Sequence, residues 1–182
     1  MIFATVGTQL PFDRLLTALD AWAALHTEVP VLAQTGSSTA RYPHLTCQPH
    51  LDQPGFATRI AEARVIVAHA GMGTILQAAE AGKPLILMPR RADLGEHRND
   101  HQLATAAEMT VLSNVTVVTD ATGLASALHR ALQEPDACHP LLPATAQPRL
   151  IEALKDFIWS EDTRPARARI RAPRRLMGWV RA

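Results

Sequence analysis

The sequence is poor in aromatic residues and cysteines, and it has no long apolar run. Its 182 residues include four Phe, three Trp and one Tyr, and the two cysteines, Cys47 and Cys138, lie far apart. Two distant cysteines form neither a disulfide framework nor a metal-ligand spacing, and they fit a reducing compartment. No stretch reaches the roughly 20 apolar residues of a membrane-spanning helix, and the N-terminal residues lack a charged signal-peptide leader. We therefore expect a globular cytoplasmic protein.

Charge of one sign is missing from the end of the chain. From Thr163 onward there are seven arginines and no acidic residue, whereas residues 1–162 carry a net charge of −6. The length suits one domain, so we expect a domain over residues 1–160 and a separate basic tail over residues 161–182. Such a tail can bind an anionic bilayer surface or stay solvated, because Pro165 and Pro173 interrupt any helix. No module for binding nucleic acid accompanies it.

Short apolar runs alternate with helical patterns along the rest of the chain. This alternation predicts a doubly wound α/β fold, in which helices cover both faces of a parallel sheet. The predicted strands are residues 2–6, 29–33, 45–48, 65–68, 85–88 and 115–118, with another near 111. One predicted helix begins near residue 11, and the others span residues 54–63, 74–81, 99–108, 121–133 and 150–159.

The stretch HAGMGT, residues 69–74, follows a buried strand and precedes a helix. Ligands of open parallel sheets bind at such places, beyond the carboxyl ends of the strands. Gly71 and Gly73 allow the backbone to approach an anion that the helix N–H groups face. Thr74 can cap the helix or donate its hydroxyl to the anion, and His69 can donate a further hydrogen bond. The alternative is a plain tight turn with a capping threonine.

Two common phosphate motifs are absent from this stretch. A Walker A loop has a lysine before the Ser or Thr, whereas Gly73 precedes Thr74 here. A dinucleotide fingerprint has G-x-G-x-x-G after the first strand, where this chain has Gly7, Thr8 and Gln9 instead. These three residues form a second candidate phosphate-side loop.

A dense polar run, MPRRADLGEHRNDHQ, follows the strand at residues 85–88. Its carboxylate and amide groups suit sugar hydroxyls, and Arg90, Arg91 and Arg98 suit a phosphate or a carboxylated sugar. His97 and His101 stand four residues apart, a spacing found in metal sites, although no third ligand accompanies them. A solvated polar surface is the alternative.

Three stretches in this order resemble glycosyltransferase family 28: MIFATVGTQLPFDRLL, VAHAGMGTILQAAEAGKPLILMPR and GEHRNDHQLA. The resemblance covers about residues 1–130 and concerns the C-terminal domain of that family. The sequence is similar to the small, UDP-sugar-binding subunits of two-component transferases. These include exopolysaccharide glucuronosyl- and galactosyltransferases and the eukaryotic UDP-GlcNAc transferase of lipid-linked oligosaccharide synthesis.

The resemblance implies a Rossmann-like domain that is one half of a GT-B glycosyltransferase. It places the glycine stretch on the UDP diphosphate, Gln77 where relatives have a ribose-binding glutamate, and Glu96 and His97 near the donor sugar. The expected nucleotide-sugar-binding residues are Gly7, Thr8, Gln9, His69, Gly71, Met72, Gly73, Thr74, Gln77, Arg90, Glu96 and His97.

The resemblance also implies an inverting reaction that needs a second protein. A hexose or hexuronate, with glucuronate favoured by the arginines, would pass to a polyprenyl-diphosphate-linked acceptor in exopolysaccharide or capsule synthesis. A membrane-anchored partner would supply the acceptor site and the general base, and it would hold the chain at the cytoplasmic face of the inner membrane. No metal or other cofactor is expected, because the sequence has no Asp-x-Asp pair. The alternative is a non-catalytic nucleotide-sugar-binding or regulatory subunit.

Overall fold

The computed structural model describes residues 1–133, and the predicted helix at 150–159, the domain boundary at 160 and the arginine-rich tail lie outside them. Within the described residues no helix is long and apolar enough to cross a membrane. The strands are β1 (Ile2–Thr5), β2 (Val31–Gln34), β3 (Thr46–Gln48), β4 (Val65–Ala68), β5 (Leu85–Leu87) and β6 (Val115–Val117). The α-helices are α1 (Asp13–Leu25), α2 (Gln53–Glu62), α3 (Met72–Glu80), α4 (His101–Met109) and α5 (Ala121–Gln133). A short 3₁₀ helix, Ala92–Leu94, precedes α4.

The six strands form one parallel sheet in the order β3-β2-β1-β4-β5-β6. Every residue of β1, β4 and β5 is buried, because helices cover both faces of the sheet. From β1 the chain continues to β2 and β3 on one side of the sheet, and from β4 it continues to β5 and β6 on the other side. The connections that leave β1 and β4 therefore run in opposite directions and leave a crevice between them. The predicted doubly wound, Rossmann-like fold is confirmed.

Two hydrophobic cores lie on opposite faces of this sheet. On one face α1 and α5 pack against Ile2 and Ala4 of β1, and on the other α2 and α3 pack against Phe3. This alternation follows the two-residue period of a strand. The apolar face of α1 is buried in the first core at Leu15, Leu16, Leu19 and Trp22, together with Phe12, the residue before the helix.

Among the described residues one predicted strand is absent, and most of the other predicted elements begin or end one or two residues away from the observed ones. The predicted strand near residue 111 is wrong, because Val111 lies in a turn after α4 with 84% of its surface exposed. A single β-branched residue has no neighbouring strand to pair with there. The helix predicted from residue 74 begins earlier, at Met72, because the extended backbone of Gly71 (φ −99°, ψ 126°) ends the preceding loop.

Candidate functional site

A cavity of about 590 Å³ opens at the carboxyl ends of the central strands, where the chain order of the sheet reverses. Its walls come from the β1–α1 loop, the β4–α3 loop and the beginning of α4. Its volume is within the range of small-molecule sites. The structure brings eleven of the twelve predicted site residues together here: Gly7, Thr8, Gln9, His69, Gly71, Met72, Gly73, Thr74, Gln77, Arg90 and His97.

The N terminus of α3 faces this cavity with its backbone donors open. The first helical amides, those of Met72, Gly73 and Thr74, have no preceding helical turn to supply acceptors. Among residues 1–133 no side chain caps them. Thr74 is the third residue of the helix and 7% exposed, so the predicted capping role of Thr74 is wrong. Open N–H groups and the helix dipole together favour an anion.

A side chain would have different consequences at the three glycines of the cavity, Gly7, Gly71 and Gly73. A Cβ on Gly7 would lie 2.8 Å from Cε1 of His69, and a Cβ on Gly71 would overlap Nε2 of the same ring. The imidazole therefore fits only because both neighbours lack side chains. A Cβ on Gly73 would meet no protein atom within 4 Å. Its missing side chain leaves space in the cavity rather than inside the protein.

His69 is a neutral imidazole at physiological pH. Burial lowers its pKa to about 4, the nearby Arg90 cation and, more weakly, His97 act in the same direction, and the Thr5 backbone opposes them. Its Nδ1 is buried and has no hydrogen-bond partner among residues 1–133. A neutral ring carries one N–H donor and one acceptor nitrogen, so His69 can donate one hydrogen bond to a ligand but adds no charge.

Arg90 is buried, with 2% of its surface exposed, and its guanidinium is bound to the backbone. The four N–H groups of its terminal nitrogens point to carbonyl oxygens, and its Cζ lies 4.6 Å from the centroid of the Phe12 ring. These oxygens belong to Val6, Leu10, Pro11 and Glu96, at 2.7, 2.6, 2.6 and 3.2 Å. Burial lowers the pKa of Arg90, and the Glu96 and Asp13 carboxylates oppose that effect. The predicted phosphate or sugar contact would have to compete with these bonds.

Glu96 is the one predicted site residue that does not line the cavity. Its carboxylate accepts two hydrogen bonds from Arg14, at 2.6 and 2.8 Å, and one from the Arg91 backbone, at 2.9 Å. The sugar contact expected of Glu96 stays a prediction. Arg91 pairs with Asp93 at the surface and Arg98 is exposed, and neither lines the cavity. The arginines therefore give no support for a carboxylated donor sugar over a neutral one.

Sequence reasoning missed several lining residues, of which Thr5 and Gln34 are the most polar and buried. They end β1 and β2, and the Thr5 hydroxyl donates to Oε1 of Gln34 at 2.7 Å. Their signal was available, since each is a polar residue at the carboxyl end of a buried strand. The other lining residues outside the predicted set are Val6, Leu10, Leu51, Gln53, Phe56, Ala70, His101, Gln102 and Thr105.

His97 and His101 both line the cavity with their rings edge to face, at a centroid distance of 4.5 Å. His97 precedes α4 and His101 is its first residue, so they do not occupy one helical face. Within residues 1–133 no group of three or more His, Cys, Asp or Glu side chains could hold a metal ion. The zinc spacing of these two histidines therefore has no third ligand in the part of the chain described.

The fold and the site together define a Rossmann-like domain with an uncapped helix N terminus that lines a cavity at the switch point of its sheet. Residues 1–157 match the model of the glycosyltransferase family 28 C-terminal domain. The chain belongs to this family. Its fold is that of one half of a GT-B glycosyltransferase, as predicted.

One relative and two solved structures show the range of similarity. The chain is 32% identical over 110 residues to a UDP-N-acetylglucosamine–N-acetylmuramyl-(pentapeptide) pyrophosphoryl-undecaprenol N-acetylglucosamine transferase of Agrobacterium fabrum. That match covers 56% of this chain and 28% of the relative. The crystal structure of Acinetobacter baumannii MurG (22% identity, TM-score 0.52) matches over 75% of this chain and 42% of its own. The NMR structure of ALG13 (18% identity, TM-score 0.53) matches over 84% of this chain and 93% of its own.

Proposed function

We propose that this chain is the UDP-sugar-binding catalytic subunit of a two-component inverting glycosyltransferase. The observation that carries the proposal is the open first turn of α3, where the bare Gly73 leaves its amides accessible from the cavity. A diphosphate is the anion whose size and charge suit several backbone donors at one helix N terminus. These donors would stabilise a departing UDP without a divalent cation.

The donor and the acceptor are proposed from chemistry that the relatives' names describe. The Agrobacterium relative is named for a UDP-N-acetylglucosamine donor and a pyrophosphoryl-undecaprenol acceptor. By analogy, this chain would use a UDP-hexose or UDP-hexuronate, with a polyprenyl-diphosphate-linked acceptor in exopolysaccharide or capsule synthesis. Gln77 lines the cavity and could hydrogen-bond a ribose hydroxyl through its amide.

A partner subunit is proposed to supply the general base and the acceptor site. No carboxylate lines the cavity among the described residues. The pKa of His69, about 4, makes this ring a weak base at neutral pH, and its Nδ1 is buried. A base works best when its pKa is near the working pH, so His69 is poorly suited to the role. The candidates within this chain are His97 and His101, which also line the cavity, and we propose a group on a facing, membrane-anchored partner instead.

Isothermal titration calorimetry of the full chain tests the donor site. We expect binding of UDP and of at least one of UDP-glucuronate, UDP-galactose and UDP-GlcNAc, with no binding of NAD. Affinity should be the same in EDTA and in Mg²⁺, because helix amides rather than a metal ion hold the diphosphate. No binding of UDP or any UDP-sugar, with the chain folded by circular dichroism, would contradict the proposal.

A non-catalytic, regulatory role is the alternative that a reconstituted complex separates from catalysis. The partner would be taken from a neighbouring reading frame that encodes a second Rossmann-like half. If this chain is the catalytic donor subunit, Gly73→Ala should abolish sugar transfer while the complex still assembles. Full transfer by the Gly73→Ala complex would favour the regulatory role.

A peripheral membrane location is proposed from the sequence of the basic tail. Each arginine near an anionic bilayer contributes about 1 kcal/mol of attraction, and seven follow Thr163. Co-sedimentation with anionic liposomes should retain the full chain and not a chain truncated before Thr163. Equal sedimentation of both chains would contradict a membrane role for the tail and leave the partner as the anchor.

A further inference from the structure

We propose that Arg90 is a positioning residue that holds the β1–α1 loop, residues 6–12, in the shape that forms one wall of the nucleotide-sugar site. The proposal rests on the proposed function, because the loop matters only if the cavity binds a donor. It also replaces the expectation that Arg90 contacts the donor directly.

The guanidinium binds the loop at both of its ends. Nη2 donates to the carbonyl oxygens of Val6 and Leu10, and Nη1 donates to that of Pro11. Three carbonyls within six residues therefore converge on one cation, and the backbone between Val6 and Leu10 must arch over it. The Phe12 ring stacks on the same guanidinium at 4.6 Å. The planar guanidinium, with its fixed N–H directions, can donate to all of these carbonyl oxygens and stack on the ring at the same time, whereas a lysine ammonium cannot.

The arched segment carries residues that line the same cavity as the start of α3. Gly7, Thr8 and Gln9 lie between the anchored carbonyls of Val6 and Leu10 and line the cavity together with Gly73 and Thr74. Gly7 has φ +76°, and its amide donates to the Thr5 hydroxyl at 3.3 Å. A loop that relaxed away from Arg90 would move this wall relative to the amides that bind the diphosphate.

Arg90 is itself held by Gln102 of α4 and by the loop after β5. Its backbone N–H donates to Oε1 of the buried Gln102 at 3.1 Å, and Nη1 also donates to the Glu96 carbonyl. The side chain thereby joins the β5–α4 segment to the β1–α1 loop. The Glu96 carboxylate is bound by Arg14, so Arg90 makes its hydrogen bonds to neutral groups. Its charge acts on the cavity, since after burial the Arg90 cation is the next cause that lowers the pKa of His69.

Arg14 provides a matched control. It makes four hydrogen bonds of similar length, to Glu96, the Pro89 carbonyl and the Thr119 carbonyl, and none to the β1–α1 loop. It does not line the cavity. Arg14→Met and Arg90→Met therefore remove comparable numbers of bonds from the same region, and only the second releases the loop carbonyls.

The experiment compares Arg90→Met, Arg90→Lys and Arg14→Met in the full chain. Calorimetry measures UDP affinity, thermal unfolding measures Tm, and NMR hydrogen exchange measures protection of the Gly7, Thr8 and Gln9 amides. We expect Arg90→Met to weaken UDP binding by roughly tenfold or more, since small misplacements of a site are costly, and to lower protection of these amides. It should also raise the pKa of His69, because a cation beside it is lost. Arg14→Met should bind UDP within about twofold of wild type at a similar loss of Tm.

The outcomes decide between a positioning role and a merely structural one. Equal weakening of UDP binding by the two methionine variants, in proportion to their Tm, would overturn the proposal. If Arg90→Met does not fold, Arg90→Lys decides, because it keeps the charge and loses the fork. Wild-type affinity and loop protection in Arg90→Lys would overturn the proposal, and a loss of both would support it. If the wild-type chain does not bind UDP, the proposed function fails, and amide protection in the variants still tests the positioning of the loop.

Discussion

Arg14 and Glu96 form a two-point ion pair that ties α1 to the loop after β5. Nε and Oε1 are 2.6 Å apart, and Nη2 and Oε2 are 2.8 Å apart. The side chains are 24% and 11% exposed, so neither charge is well solvated if its partner is removed. A parallel fork of this kind is stronger and more directional than a single contact. The pair therefore explains why the only acidic side chain predicted for the site lies outside the cavity.

Glu96→Ala should lower the free energy of unfolding by about 2 kcal/mol, because it leaves a partly buried guanidinium unpaired. Chemical denaturation measures this loss. A double-mutant cycle of Glu96→Gln and Arg14→Met should give a coupling free energy of about 1 kcal/mol or more. Additive losses would contradict the role of the pair. A role of Glu96 on the donor sugar would appear separately, as weaker binding of a UDP-sugar with unchanged binding of UDP.

Gly73→Ala should abolish or strongly weaken UDP binding without destabilising the protein. Gly73 lines the cavity, and the new methyl group would meet no protein atom within 4 Å, so we expect it to compete with a bound diphosphate rather than with the protein. Because Gly73 is helical, alanine should raise the free energy of unfolding by up to about 1 kcal/mol. Calorimetry and denaturation on the same sample measure both effects. Unchanged UDP affinity would contradict the placement of the diphosphate at this turn.

Gly71→Ala and Gly7→Ala should destabilise the protein even without a ligand. Each Cβ would collide with the His69 ring, and Gly7 in addition has a positive φ that costs other residues about 1–2 kcal/mol. Unfolding midpoints in denaturant measure the loss. His69→Ala should rescue part of the Gly71→Ala defect, because it removes the ring with which the methyl group collides. No rescue would contradict the packing of the ring on Gly71.

His69 should make stability depend on pH between about 6.5 and 4. Its pKa is about 4 when folded and 6.5 when exposed, so the unfolded chain binds the proton first as pH falls. Stability is therefore complete above pH 6.5 and decreases below it, by up to about 3 kcal/mol at pH 4. Denaturation of wild type and His69→Gln at pH 7 and pH 4.5 isolates this effect, since glutamine does not titrate there. Equal losses in both proteins would contradict it.

The fold could be predicted from sequence because β1, β4 and β5 are continuous apolar runs with helical patterns between them. Such runs have few other stable arrangements than a covered parallel sheet. The strand near residue 111 was predicted wrongly because Val111, a single β-branched residue, has strand propensity but no neighbouring strand with which to pair. The start of α3 was predicted two residues late because glycine disfavours helix interiors. The backbone of Gly71, rather than the hydroxyl of Thr74, decides where that helix begins.

The glycine stretch and the Gly7–Gln9 loop could be predicted as site residues because both follow central strands. The hydrogen bonds of Arg90 could not be predicted, because the sequence does not show that the carbonyl oxygens of Val6 and Leu10 bind its guanidinium. The ion pair between Glu96 and Arg14 could not be predicted for a related reason, because the two residues are 82 positions apart in the sequence. Long-range pairing of charges leaves no local pattern.

The packing of one imidazole between two glycines has a consequence for mutational scans of this protein. A scan that scores cellular abundance should register substitutions at Gly7 and Gly71, where a methyl group meets the His69 ring. The same scan should be nearly silent at Gly73, where nothing is displaced. A growth or product assay should register all three. Gly73 would then differ between the two screens, because a bound molecule, rather than the protein itself, excludes a side chain there.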